Sequence, residues 1–224
     1  MRVTGATLLA AIGMMAIGSG AARAEIVVEG QPPGGHRSLA GLLIGPESIR
    51  TAGGVQILCN NGGTFNSLIL SNNIIHTTRL YYGCVTVGMP QCIVYETAND
   101  AIGGLNPGHW IEKTLGVFAE SEGSHYLVSE KTEELLGTIY LETKKGSKEA
   151  CPLPFELALT GTTAYKASDI LEKLIVHKFE PVGEKEEKAL KVQLFLGKEK
   201  AFVEEGGEEV ELTGEYEGLK WWLK

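Results

Sequence analysis

Short runs of alternating or continuously apolar residues follow one another along this chain at intervals of roughly 8–14 residues, and the gaps between them are rich in Gly, Asn, Ser and Pro. A chain broken that often cannot carry the long amphipathic stripe of a helical bundle. It suits strands joined by tight turns. Strand candidates fall at residues 55–59, 65–70, 74–83, 92–97, 110–119, 124–129, 135–143 and 155–163. Further candidates follow at 171–179, 190–196, 201–203, 208–213 and 219–223. Asn60-Asn61-Gly62-Gly63 reads as the turn between the first two. Val210 and Leu212 alternate with Glu209, Glu211 and Thr213, the period of a half-exposed strand. The expected fold is all-β: an antiparallel sandwich or two packed β subdomains, with room for one short helix.

Three stretches compete for helix. Lys166 to His177 has apolar residues near helical spacing, but a short turn followed by a strand over 171–179 fits better. Residues 130–136 and 184–190 read as loops. Leu157-Ala158-Leu159-Thr160-Gly161-Thr162 is echoed by Val210-Glu211-Leu212-Thr213-Gly214-Glu215, two similar strand ends. After residue 181 Glu and Lys dominate, as on charged edge strands protected from edge-to-edge pairing.

The start of the chain bears on compartment. Met1-Arg2 is followed by an uncharged stretch from Val3 to Gly20, and Ala22-Arg23-Ala24 supplies a small-x-small cleavage pattern. This reads as a secretory signal over 1–24. The competing reading is a membrane anchor, against which stand the four glycines of that stretch. The expected organisation is a leader at 1–24, an N-terminal segment and loop at 25–50, and a β-rich domain at 51–224. A subdomain break is a candidate near 164–183. Without the leader, 18 basic residues face 28 acidic ones. That balance disfavours nucleic acid and anionic membrane surfaces.

Four cysteines, Cys59, Cys84, Cys92 and Cys151, suit two disulfides in an oxidising compartment. Three pairings exist. The tight loop around Gly88, Met89 and Pro90 favours Cys84 with Cys92, leaving Cys59 with Cys151 to tie distant strands together.

No motif for a nucleophile elbow, a phosphate loop, a dinucleotide fold or a zinc protease occurs. His36, His76, His109, His125 and His177 are scattered singly. No catalytic residue, metal ligand or cofactor is therefore assigned. Glutamates are numerous enough for an acid/base pair, but that chemistry needs two of them held at a set separation in a cleft. Trp110, Trp221 and Trp222 are candidate binding-surface residues, with one of the adjacent pair expected in the core because neighbours on a strand face opposite ways.

An ordered set of residues carries a resemblance. It comprises Val55 and Cys59, then Tyr82-Gly83-Cys84, Met89-Pro90 and Cys92. Cys151, Leu153-Pro154 and Leu159-Thr160-Gly161-Thr162 follow, and Leu212-Thr213-Gly214 with Trp221 or Trp222 closes the set. This resembles the secreted β-rich, four-cysteine proteins of soil actinobacteria. The resemblance implies export, an all-β fold and disulfides, and brings no activity with it. The functional expectation is a secreted, non-enzymatic binding or surface-interaction module whose partner is an extracellular protein or glycan. The alternative is a secreted hydrolase of polysaccharides or esters using glutamates as acid and base.

Overall fold

The period-two pattern is realised as strands almost throughout, in a computed structural model that describes residues 22–23, 26–31, 37–69, 74–130 and 136–223. In chain order they are β1 (Ala22–Arg23), β2 (Ile26–Val28), β3 (Arg37–Leu43), β4 (Glu47–Thr51), β5 (Gln56–Ile69) and β6 (Ile74–Thr86). Next come β7 (Cys92–Tyr95), β8 (Trp110–Ser121), β9 (Ser124–Glu130), β10 (Gly137–Thr143), β11 (Glu156–Gly161) and β12 (Ala164–Ala167). The last are β13 (Val176–Pro181), β14 (Leu194–Leu196), β15 (Glu199–Glu204), β16 (Glu208–Thr213) and β17 (Trp221–Leu223). Two short helices interrupt them, α1 (Ala98–Gly103) and α2 (Glu184–Leu190). The protein is all-β, and all its strand pairings are antiparallel.

The fold turns on one long hairpin. β5 has 14 residues and β6 has 13, enough for the two halves of each strand to serve different neighbours. The first part of β5 pairs with β4 (Glu47 opposite Cys59) and its end with β3 (Leu39 opposite Ser67). The first part of β6 pairs with β8, and its end meets β7 at the single pair Val85 and Ile93. Eight strands thereby close a barrel in the order β8, β6, β5, β3, β16, β13, β12, β9, with β9 returning to β8. Six more, β7, β10, β11, β14, β15 and β4, form an arc that leaves β6 and returns to β5.

Each enclosure has its own core. Ile75, Phe118, Phe179 and Leu212 fill the barrel, and the ribbon of β2 and β17 plugs it with Ile26, Val28, Trp221 and Leu223. The arc and the hairpin enclose Ile57, Val94, Trp110, Ile139, Leu159 and Leu196. His177 is fully buried beside the plug, 2.6 Å from the Trp221 carbonyl through Nε2 and 3.2 Å from Asp169 through Nδ1. It is a satisfied core histidine.

Several sequence expectations are corrected. Asn60-Asn61-Gly62-Gly63 does not turn; β5 runs straight through it. The glycines serve close approach instead, since a Cβ on Gly63 would lie 2.0 Å from the Gly41 carbonyl oxygen of β3. The disulfides are Cys59–Cys84 and Cys92–Cys151, not the pairing that loop length favoured. Hairpin register decides this: Cys59 stands directly opposite Cys84 in the ladder between β5 and β6. Cys92 stands opposite Thr143, whose Oγ1 accepts the Cys151 N–H at 3.0 Å.

Residues 184–190 are helical rather than a loop, with the Glu186 carboxylate accepting the Gly183 N–H at 3.2 Å. Between the strand candidates at 92–97 and 110–119 the chain forms α1, begun by Thr97 Oγ1 accepting the Asp100 N–H and ended at Gly104 with φ of 66°. The strand expected over 171–179 begins only at Val176. The charged strands after residue 181 are not edges, because β14, β15 and β16 each have a neighbour on both sides. Residues 37–50 are no separate segment, since β3 and β4 are woven into barrel and arc. The strands β12 and β13 belong to the barrel, and the flanking β11 and β14 to the arc, all within one continuous sheet.

The expected leader lies outside the described residues apart from Ala22 and Arg23, which pair with Glu120 and Ala119 of β8 respectively. None of the pairings that close the barrel uses β1. Among the described residues no helix is long and apolar enough to cross a membrane. The helix candidate at 130–136 falls largely on residues outside the described set.

Candidate functional site: a buried polar joint and an acidic seam

Between the two cores lies a cluster of charged side chains that sequence reading missed. β6 points Thr77, Arg79 and Tyr81 inward in alternation, β8 does the same with Trp110, Glu112 and Thr114, and β16 with Glu208, Val210 and Leu212. Two strands outside this trio complete the set with Tyr165 of β12 and Glu47 of β4. All six of Arg79, Tyr81, Glu112, Glu208, Tyr165 and Glu47 are buried.

The guanidinium is the centre. Arg79 Nη1 lies 3.5 Å from Glu112 Oε2, and Nε lies 3.5 Å from Glu208 Oε2. Its carbon sits 4.1 Å above the Tyr165 ring, a cation–π contact in a dry setting. Glu208 also accepts the Thr64 N–H, reaching it across Gly41, where a Cβ would come within 2.9 Å of the Glu208 carboxyl carbon. Glu47 Oε1 lies 2.8 Å from the Tyr81 hydroxyl and 3.2 Å from that of Tyr165. The Tyr81 hydroxyl is also 3.2 Å from Glu112 Oε2, and its ring stacks on Trp110 with centroids 4.6 Å apart. Tyr81 belongs to the arc core and Tyr165 to the barrel core, so Glu47 joins the two.

Burial, above all else, raises the Glu47 carboxyl from its ordinary value to about 7; Arg79 and the Tyr81 hydroxyl pull it down, and Glu112 and Glu208 push it up. Burial likewise raises Glu112 against the pull of Arg79. The phenols of Tyr81 and Tyr165 are held well above their usual value, by burial first and Glu47 second, so both remain donors.

A second concentration of carboxylates lies at the surface, where barrel and arc meet. A groove of about 480 Å³ runs between β13, α2 and β15. Glu180, Glu184, Glu187, Glu204 and Glu205 wall it, and Val182, Phe202 and Val203 form its apolar lining. Arg50 holds Glu204 in a fork, with Nε 2.8 Å from Oε2. Lys188 Nζ lies 2.8 Å from Glu184, and Lys200 Nζ 3.7 Å from Glu187 Oε2. Glu187 is buried, and that raises its carboxyl despite Lys200. A smaller apolar pocket of about 460 Å³ opens beside Leu153, Pro154 and Leu157 near the arc's rim.

The tryptophans separate. Trp110 and Trp221 are buried core residues and present no binding surface, because their strands point them into the two enclosures. Trp222 is half-buried on the opposite side of β17 from Trp221, as neighbours on a strand must be, and the Lys173 ammonium lies 4.8 Å above its ring. Cys59, Cys84, Cys92 and Cys151 are all bonded. Among the described residues no three His, Cys, Asp or Glu side chains are placed to hold a metal ion.

No protein family, curated protein or solved structure matches this chain. By fold it is a disulfide-braced β protein in which a closed barrel and a strand arc share one hairpin.

Proposed function

We propose that this chain is an exported, non-enzymatic binding module that meets its partner at the acidic seam between barrel and arc. The observation that carries the reading is the fate of the converging carboxylates. Glu47, Glu112 and Glu208 face one another, as an acid/base mechanism would need. They do so inside a filled core, where Arg79, Tyr81, Tyr165 and the Thr64 amide occupy them. None of them lines any of the four described surface pockets. Buried carboxyls held in this way favour a structural role over attack on a glycosidic or ester bond.

The seam differs: it is open, acidic and apolar at its base, a combination that favours a cationic partner with an aliphatic stem. Two disulfides accord with life outside the cell. So does the resemblance to secreted actinobacterial four-cysteine proteins.

Surface plasmon resonance against a basic peptide, an acidic peptide and a neutral glucan tests the reading, with parallel turnover assays on glycans and esters. The expected result is salt-sensitive retention of the basic peptide and no turnover. Turnover that disappears with Glu187→Gln or Glu112→Gln would establish the hydrolase alternative instead.

A further inference from the structure

The joint between the two cores contains more acid than its one cation can balance. Glu47 of β4, Glu112 of β8 and Glu208 of β16 are all buried, and among the described residues Arg79 of β6 is the one cation paired with any of them. The other titratable groups facing Glu47 are the phenols of Tyr81 from β6 and Tyr165 from β12, which remain neutral donors. With all three carboxyls ionised the joint would enclose two uncompensated negative charges, and an interior of low dielectric does not hold them. Glu112 and Glu208 each lie 3.5 Å from the guanidinium, whereas among the described residues Glu47 has no ion pair and is hydrogen-bonded by the Tyr81 and Tyr165 hydroxyls.

We propose that Glu47 carries a proton in the folded protein and acts as a proton-dependent clamp, holding the arc to the barrel through Tyr81 and Tyr165 while that proton is present. The two phenols donate to Glu47 Oε1 in either state, and a protonated Glu47 keeps the joint from gaining a further buried charge. An ionised one adds a third buried carboxylate charge at a point where both cores are hydrogen-bonded to the same side chain. Loss of the proton strains that point first. The clamp therefore makes the union of barrel and arc tightest in mildly acidic surroundings.

The sign follows from linkage. The unfolded chain releases this proton near the ordinary glutamate value of 4.5, and the folded chain keeps it until about 7. The folded state therefore binds the extra proton between those values, so stability falls as pH rises through that window and levels off above it. The test is urea denaturation of the full protein from acidic to alkaline pH, comparing wild type with Glu47→Gln, whose amide keeps a neutral acceptor in place.

The two proteins are expected to match below pH 4.5, and the variant is expected to favour the folded state by about three-hundredfold well above pH 7. Hydrogen exchange, corrected for its intrinsic pH dependence, supplies a local readout. In wild type alone, β4 and β12 should lose protection above neutrality, while the β10–β11 pair should not. Parallel pH profiles for the two proteins would overturn the proposal. So would a variant less stable than wild type at high pH, or exchange that rises equally in all strands.

Discussion

Arg79 and Arg50 both meet glutamates, and the two meetings have opposite consequences. Arg50 grips Glu204 with a two-toothed fork, yet its side chain is 51 % exposed and water competes for every bond it makes. Arg79 makes looser pairs at 3.5 Å, yet its side chain is 3 % exposed and no solvent can replace what it supplies. Geometry alone would rank Arg50 as the stronger contact. Solvation reverses the ranking, because a buried charge left alone costs several kcal/mol and an exposed one almost nothing. The same residue types thus build a structural joint in one place and an accessible docking wall in the other.

The largest effect should come from Arg79→Met, which keeps volume but leaves Glu112 and Glu208 buried without a cation. We expect a loss of about 3–5 kcal/mol in denaturant unfolding at neutral pH. The loss should shrink in acid, where the stranded carboxyls take up protons. A pH-independent loss would show that packing, not charge, is what Arg79 provides.

Next in size is the hairpin that both regions share. The Cys59–Cys84 disulfide closes a loop across 25 residues of sequence separation, so the double change to Ser should cost about 3 kcal/mol. Peptide mapping without reduction should recover Cys59 with Cys84 and Cys92 with Cys151; any other pairing would refute the register described here. A smaller effect, about 1–2 kcal/mol, is expected for Gly41→Ala, whose methyl displaces the Glu208 carboxylate from Thr64 and Arg79. Arg50→Ala should leave the thermal melt unchanged while strengthening retention of a basic peptide, because it frees Glu204 at the seam. If that substitution unfolds the protein instead, the contrast between the two arginines fails.

Much of this was legible in strand phase. Glu208 keeps step with Val210 and Leu212, Glu112 with Trp110, and Arg79 with Tyr81, so each was marked as inward by its neighbours. Their convergence was not legible, because it needs the order of strands that lie far apart in sequence. Turn chemistry misled at Asn60 to Gly63, where glycine served a close approach between strands rather than a reversal. Loop length misled for the cysteines, since cross-strand register outweighs the convenience of a short loop. The α1 helix had a readable start in Thr97 and Asp100 and a readable stop in Gly104. The acidic seam had none: residues 180, 184, 187, 204 and 205 become neighbours only through the fold.

The most direct test of the division between a sealed joint and an open seam is carbon-13 NMR of the glutamate carboxyl groups, titrated with and without a basic peptide. The Glu47 signal, assigned by its loss in Glu47→Gln, should titrate at about 7 and ignore the peptide. The seam carboxyls, Glu187 foremost, should shift when the peptide is added. A Glu47 carboxyl that titrates at its ordinary value of 4.5, or moves with the peptide while Glu187 stays still, would contradict the account.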